Sequence, residues 1–310
     1  MPLMSNFPFG FANGVSIRGL PVLNSYAGNV FWVDSGAGSN GNDGSLNRPF
    51  ATIDYAVGRC TANNGDIICV KPGHTETVTA AGGLALDVAG ITLLGFSSGS
   101  DRPTINFTTA VGADMNVDAA NITMINFLFT GGVDALTGPI DVNAADFSML
   151  ECETRDVTGQ VVDFIVTDAN ADRLFISGWV HRGAAAAGAD TAITIVGGDD
   201  ITIIPKFIDG NFAVAAIENV TTAAVNLQVF GSGDYPAYIR TRNAADVIFT
   251  AVATTTGRVG PNLNARLADD AANITEAFVG ADMEFFQPIN IVNADGQSSL
   301  QTNITASTDA

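Results

Sequence analysis

Lysine is almost missing from this chain: its 310 residues hold two, Lys71 and Lys206, beside 11 arginines, and glutamate is scarce too, with six against 26 aspartates. Helices favour Glu and Lys whereas turns favour Asp, so the shortage argues against a helical architecture. Charged residues make up only 15% of the chain, below the roughly 25% of an average soluble domain. The net charge of −19 excludes direct nucleic-acid binding as an expected function, because phosphate neutralisation needs clustered Lys and Arg. Three cysteines, Cys60, Cys69 and Cys152, are too few and too unevenly placed for a disulfide framework. None forms a Cys-x-x-Cys pair, so they read as buried free thiols, and no metal or cofactor site is indicated. No apolar run approaches the roughly 18 to 20 residues that cross a bilayer, and residues 1–19 lack the basic start and apolar middle of a secretory signal. Neither membrane insertion nor Sec export is expected.

What is present is a recurring phrase: a small or polar residue, often Asn or Asp, then a strand alternating apolar with polar. It reads Gly90-Ile91-Thr92-Leu93, Asn121-Ile122-Thr123-Met124, Asp146-Phe147-Ser148-Met149, Arg173-Leu174-Phe175-Ile176, Asp200-Ile201-Thr202-Ile203, Ala224-Val225-Asn226-Leu227, Asp246-Val247-Ile248-Phe249 and Asn273-Ile274-Thr275. The interval between phrases runs from 22 to 31 residues, the mark of a solenoid. Further strand-like runs lie between phrases, such as Ile105 to Phe107 and Val161 to Val166, so each turn holds two strands or more. A parallel β-helix accounts for this: inward positions are apolar in every coil and outward ones, such as Thr92, Thr123 and Thr202, are free to be polar. About nine coils at the sheet spacing would give a rod on the order of 45 Å long.

Three segments follow. Residues 1–29 form an arm in which Phe7, Phe9 and Phe11 are separated by Pro8 and Gly10. It has no amphipathic order of its own and needs a surface to hold it. Residues 30–284 are the β-helix, and residues 285–310 a C-terminal cap or tail. Within residues 51–61, Ile53, Ala56, Val57 and Cys60 fall at helical spacing, which predicts the chain's one good helix, placed to cap the first coil.

The stretch Phe31-Trp32-Val33-Asp34, Gly41-Asn42-Asp43-Gly44, Asn47-Arg48-Pro49-Phe50-Ala51-Thr52-Ile53 and Gly65-Asp66-Ile67-Ile68-Cys69-Val70-Lys71-Pro72-Gly73 resembles the opening of right-handed β-helix proteins of the pectin-lyase-like superfamily. The resemblance covers about 45 residues. It implies an all-β, right-handed parallel β-helix solenoid with an N-terminal capping helix and an extended N-terminal arm. It says little about activity, because that fold hosts lyases, hydrolases, epimerases and inert virion parts alike. The run from Gly10 to Gly19 is similar to openings of structural proteins in tailed-phage genomes.

The chemistry-bearing residues are sparse. Asp199-Asp200 is the only echo of the polygalacturonase-like pattern, and it falls at a turn, where Asp is expected. Glu151, Glu153, Arg155 and Asp156 follow one repeat strand, and Asp163, Asp168 and Asp172 lie on the next coil, as a charged face or a glycan groove. Trp179, His181 and Arg182 are candidates to stack a sugar ring and hold its hydroxyls. Arg240-Thr241-Arg242 is the nearest thing to a lyase base. The leading expectation is a non-enzymatic virion protein of a tailed phage, a head decoration protein on the outer surface of the particle. Its arm, through Phe7, Phe9, Phe11, Ile17 and Arg18, would contact the major capsid protein or another virion protein. Association as a homotrimer is expected, with a host surface glycan as a further partner and neither nucleic acid nor membrane among them. The alternatives are a tailspike-like polysaccharide depolymerase and a non-catalytic glycan-binding module.

Overall fold

The computed structural model describes residues 28–242, 247–267 and 278–286 with their side chains, and the strands Val15–Ile17, Leu20–Val22, Ile289–Val292 and Ser298–Leu300 by their backbone. Its core is an all-β parallel solenoid of about eight turns with almost no helix. Each turn contributes strands to three columns. Val30–Val33, Ile67–Val70, Thr92–Gly95, Thr123–Ile125 and Ser148–Leu150 begin the first column, and Thr75–Val78, Thr104–Phe107, Leu128–Gly131 and Glu153–Arg155 begin the second. The third is a separate eight-stranded sheet running from Leu84–Leu86 through Leu136–Val142, Val161–Thr167 and Thr191–Ile195 to Phe278–Val279. In mid-rod the strands Phe175–Arg182 and Thr202–Gly210 run through from the first column into the second.

Register explains the core. Ile68, Leu93, Met124, Met149, Ile176, Ile203, Val229 and Val259 pair in sequence up the first column, and all are buried. Their neighbours Thr92, Thr123, Ser148, Phe175, Thr202, Gln228 and Arg258 pair among themselves on the outer face. Because side chains alternate across a strand, stacked coils turn one apolar position into a continuous apolar column.

The Asn and Asp that open the repeat phrases have a backbone cause. Gly90, Asn121, Asp146, Arg173, Asp200 and Asn226 all hold positive φ, between 57° and 75°, where Gly, Asn and Asp are the residues most at ease. Their side chains also link successive turns: Arg173 grips Asp146 with Nε to Oδ1 at 2.7 Å and Nη2 to Oδ2 at 2.9 Å, and Asn226 Nδ2 donates to Asp200 Oδ1 at 2.7 Å. The phrase at Ala224 is read two residues early. Thr202 pairs with Gln228, so the strand is Leu227–Val229, and Val225 is exposed in the turn. Of the phrase Asp246-Val247-Ile248-Phe249, Phe249 pairs with Ile217 in the third column, and Asp246 lies outside the described residues. Asn273-Ile274-Thr275 lies outside the described residues.

The helix expected over residues 51–61 is five residues long, Ile53–Val57. Thr52 Oγ1 accepts from Tyr55 N–H at its start, Gly58 N–H bonds back to Asp54 and Ala56, and Thr61 N–H is taken by Asp66 Oδ2 at 2.7 Å. Glu76 Oε2 accepts from Ile53 N–H at 2.8 Å and from buried His74 at 3.0 Å; His74 Nδ1 accepts from Ser35 N–H at 2.9 Å, so its proton sits on Nε2. One buried carboxylate thus ties the helix start to the first coil. At the other end Ile289–Val292 continues the second column in parallel, and Ser298–Leu300 pairs antiparallel on its far side, occupying an edge that would otherwise stand open.

Two neighbouring phenylalanines test the in–out register. Phe147→Ala should lose about 3–5 kcal/mol, because a fully buried ring leaves a cavity in the column. Phe175→Ala, whose ring is 37% exposed, should stay within about 0.5 kcal/mol in the same urea titration.

Candidate functional site

Aspartate is disfavoured inside strands, yet the third column carries Asp141 between Ile140 and Val142 and Asp163 between Val162 and Phe164. Together with Asp114, Thr137, Gly138 and Val166 they line a groove of about 230 Å³ on the outer face. Asp163 pairs with Thr137 and Asp141 with Val166, while Asp114 precedes Met115, the partner of Ile140. Three successive coils therefore each supply one carboxylate. The strand Leu136–Val142 is irregular at this place, with register shifts around Thr137 and a positive φ of 59° at Gly138. A Cβ at Gly138 would stand 3.1 Å from the Val166 side chain, so glycine keeps the groove floor low.

The electrostatics of this groove favour protons. Asp141 is raised above the usual carboxylate range by burial and then by the charges of Asp114, Asp118 and Asp168, with an opposing hydrogen bond from Asn143. Burial and Asp118 raise Asp114; burial and Asp190 raise Asp163, against the Thr191 and Thr194 hydroxyls at 3.1 Å. Glu218, further up the column, is raised by burial and by Asp163 and Asp190. No Lys, Arg or His pairs with Asp114, Asp141, Asp163 or Glu218 among the described residues, nor do three ligating side chains there form a metal site. Carboxyls whose ionisation is opposed by burial and by like charges are the raw material of general acid–base chemistry.

The residues expected to touch a sugar do not gather there. Trp179 and His181 are each 0% exposed and cannot reach a saccharide. The reason is parity: Thr154 pairs with His181 and Arg155 with Arg182, so alternation sends His181 inward and Arg182 outward. Trp179 Nε1 donates to Thr154 Oγ1 at 2.9 Å, and that oxygen lies 2.8 Å from His181 Nδ1. Phe164 and Phe212 flank the imidazole, and burial pushes its pKa down to about 3, so it is neutral. Of the three, Arg182 alone is at the surface.

The other singled-out residues separate as well. Asp200 is a turn residue with φ of 57°, and Asp199 Oδ1 accepts from Val225 N–H at 2.8 Å. Glu151 pairs with Lys206 at 2.8 Å, Glu153 sits among arginines, and Asp156 points inside. Arg240 and Arg242 both hold Asp209. Ile17 lies in Val15–Ile17, which pairs antiparallel with Leu20–Val22; Phe7, Phe9, Phe11 and Arg18 lie outside the described residues. A roomier groove of about 480 Å³ near the last described coils is lined by Asn226, Gln228, Arg258, Asp282 and Glu284. Its Arg258 is already engaged by Gln228 at 3.0 Å and by the Phe230 ring, so it offers less unspent chemistry than the acidic groove.

No protein-family model matches the sequence, and no curated protein matches it. Solved structures similar to this chain include a GH136 lacto-N-biosidase from Eubacterium ramulus, at 12% identity over 86% of this chain and 64% of that one, with a TM-score of 0.48. A rhamnogalacturonan lyase is similar at 14% identity over 88% of this chain and 89% of that one, with a TM-score of 0.42. The chain spans less than two thirds of the lacto-N-biosidase. The likeness concerns the fold alone, and the parallel solenoid of three strand columns is shown by the strand pairing itself. The expectation of a non-enzymatic chain is corrected: the two similar structures named here are both enzymes, a GH136 lacto-N-biosidase and a rhamnogalacturonan lyase.

Asp156 generates a pH test. It is 6% exposed, has no cation partner among the described residues, and burial pushes its pKa up to about 6 against the pull of nearby backbone amides. A carboxyl raised in the folded state stabilises fully below the ordinary value near 3.8, and that contribution is lost as pH rises through about 6. Asp156→Asn should therefore raise stability at pH 7.5 by up to about 3 kcal/mol and change little at pH 4, as read by urea titration at both pH values.

Proposed function

We propose that this chain is a polysaccharide-cleaving β-helix, a tailspike-like depolymerase whose reaction takes place in the groove of Asp114, Asp141 and Asp163. The observation that carries this reading is three carboxylates, one from each of three adjacent coils, sharing a groove at a strand irregularity and all holding their protons more tightly than usual. Asp141, burdened by three neighbouring negative charges, is the general acid that protonates the glycosidic oxygen. Asp163, whose ionised form is supported by two threonine hydroxyls, takes a proton from water as that water attacks the anomeric carbon. The bond to the leaving sugar breaks, its oxygen keeps the proton from Asp141, and the water's oxygen stays on the new reducing end. Asp141 lies opposite Val166, three residues beyond Asp163 on the neighbouring strand, so the two carboxyls stand apart along the groove, as an acid and a base with a water between them require. Because the groove is negative, a neutral or amino-sugar chain suits it better than a uronate.

Placement on a phage particle is proposed from the sequence of the arm. Residues 1–29 would attach the chain to a capsid or other virion protein, and the three phenylalanines, at roughly 1.5–3 kcal/mol each when buried, supply the contact. The coils are proposed to wind right-handed, with Ile53–Val57 covering the first of them, and the protein to assemble as a trimer.

Reducing-end release from a panel of neutral bacterial polysaccharides tests the activity. Asp141→Asn and Asp163→Asn should each lower it at least about 100-fold while the fold is kept. Cleavage of nothing in the panel by the wild-type chain, or unchanged rates in both variants, would refute it. Separately, removing residues 1–29 should abolish co-sedimentation with particles; normal association of the shortened chain would sink the anchoring role.

A further inference from the structure

The chain's few cations are not spread evenly. Arg155, Arg182, Asp209, Arg240 and Arg266 occupy one register column on the outer face of the second column of strands, each paired with the next. Arg102 and Arg242 flank it. Six of the 11 arginines thus stand on one stripe of a chain of net charge −19, and the acids among them are Glu153 and Asp209. Glu153 receives three guanidiniums: Arg155 Nε at 2.7 Å, Arg182 Nε at 3.1 Å and Arg102 Nη1 at 3.2 Å. Asp209 receives two, each bidentate: Arg240 at 2.6 Å through both nitrogens, and Arg242 at 2.9 and 2.5 Å. Burial pushes Asp209 up, but the Arg242 and Arg240 hydrogen bonds prevail and hold it at about 2, so it is ionised throughout the physiological range.

Structure alone does not call for this excess. One arginine would neutralise each carboxylate, and the surplus guanidiniums repel one another, as Arg242 feels from Arg240. The two carboxylates, about nine-tenths buried, act as mounts that fix the nearer edges of the guanidiniums. Arg155 and Arg182 each engage Glu153 through Nε, which leaves their terminal nitrogens unspent on it, and their side chains are 47% and 58% exposed. Arg266 is exposed and forms no ion pair among the described residues. Beside the stripe, Phe207 and Tyr238 stack on each other at 5.6 Å with Arg182 over Phe207, so the Arg182 guanidinium is steadied by a ring as well as by Glu153. The surface offers guanidinium donors to an approaching ligand.

We infer that this stripe is a binding site for a linear saccharide chain bearing carboxylates, laid along the rod axis and separate from the acidic groove. From Arg155 to Arg266 the column climbs four coil steps, about 19 Å, with a guanidinium at every step but the one occupied by Asp209. Mounted guanidiniums match carboxylates in two-point contacts. A single saccharide chain is thin enough to stay within the stripe, whereas a nucleic-acid duplex would meet the negative field of the remaining surface. The inference goes beyond the proposed cleavage and stands whether or not the groove is active.

Affinity electrophoresis with alginate, with dextran as the neutral control, tests it on the full chain. Retention by alginate and not by dextran is expected at 50 mM salt, weakened at least tenfold at 300 mM. Arg266→Glu, which removes no ion pair among the described residues, should weaken it at least fivefold, and Arg155→Gln with Arg182→Gln at least tenfold, Arg102 remaining on Glu153. Asp141→Asn, in the other face, should leave retention unchanged. The inference is overturned by equal retention on dextran, by no retention at low salt, or by indifference to Arg266→Glu. It is likewise overturned by tighter binding of a short DNA duplex, or by a low-salt oligomer that Arg266→Glu dissolves and alginate does not.

Discussion

Each coil must return to the register of the one beneath it, because only then do the inward side chains meet as a column. The ladder from Ile68 to Val259 shows the consequence: eight apolar side chains from eight successive coils, none near its neighbours in sequence, form one unbroken interior. Coils differ in length, and the slack is taken up in turns. The turn residues ahead of the first column repeat one backbone state, positive φ, from Gly90 to Asn226. Burial supplies the driving force and the left-handed turn residue supplies the phase.

Once the interior is apolar on all sides, charge can lie only on outer faces, and the columns sort it. The third column collects Asp114, Asp141, Asp163 and Glu218, partly buried and without ion pairs among the described residues, so each gains by keeping a proton. The second column collects guanidiniums around two carboxylates, one of which is held ionised down to about pH 2. The same residue type therefore behaves oppositely on two faces of one rod, and the difference comes from which side chains the neighbouring coils bring alongside.

The solenoid was legible because its signal repeats. Alternating phrases such as Asp200-Ile201-Thr202-Ile203 mark both a turn and an in–out pattern, and Asn121, Asp146 and Asp200 do sit in the left-handed turns their type favours. The reading slipped where two phrases looked alike: Val225 precedes an apolar residue as Ile201 does, but pairing shows that Leu227 is its counterpart. Trp179 and His181 have the chemistry of sugar-binding residues, but strand parity buries them: Thr154, the partner of His181 one coil earlier, already faces inward. The helix Ile53–Val57 is shorter than the periodicity of residues 51–61 predicts, because Asp66 takes the Thr61 amide and such a competitor leaves no mark on the apolar spacing. Asp163 stands out in the sequence among the acids that follow the Asp146 phrase, whereas Asp114 and Asp141 stand alone, and the one local signal for Asp141 is its place between Ile140 and Val142 inside a strand. What brings these three together is cross-coil register, a relation between residues some 25 apart that no local pattern encodes.

The opposed behaviour of the two faces is open to direct observation. Site-resolved carboxyl carbon NMR, followed from pH 2 to pH 8, reports the titration of each aspartate in the folded chain. Asp209 should remain ionised to about pH 2, while Asp141 and Asp163 should change only above the ordinary carboxylate range. Midpoints for all three near the unperturbed value of about 3.9 would contradict the assignment of the third column as a proton-holding groove and of the second as a guanidinium stripe.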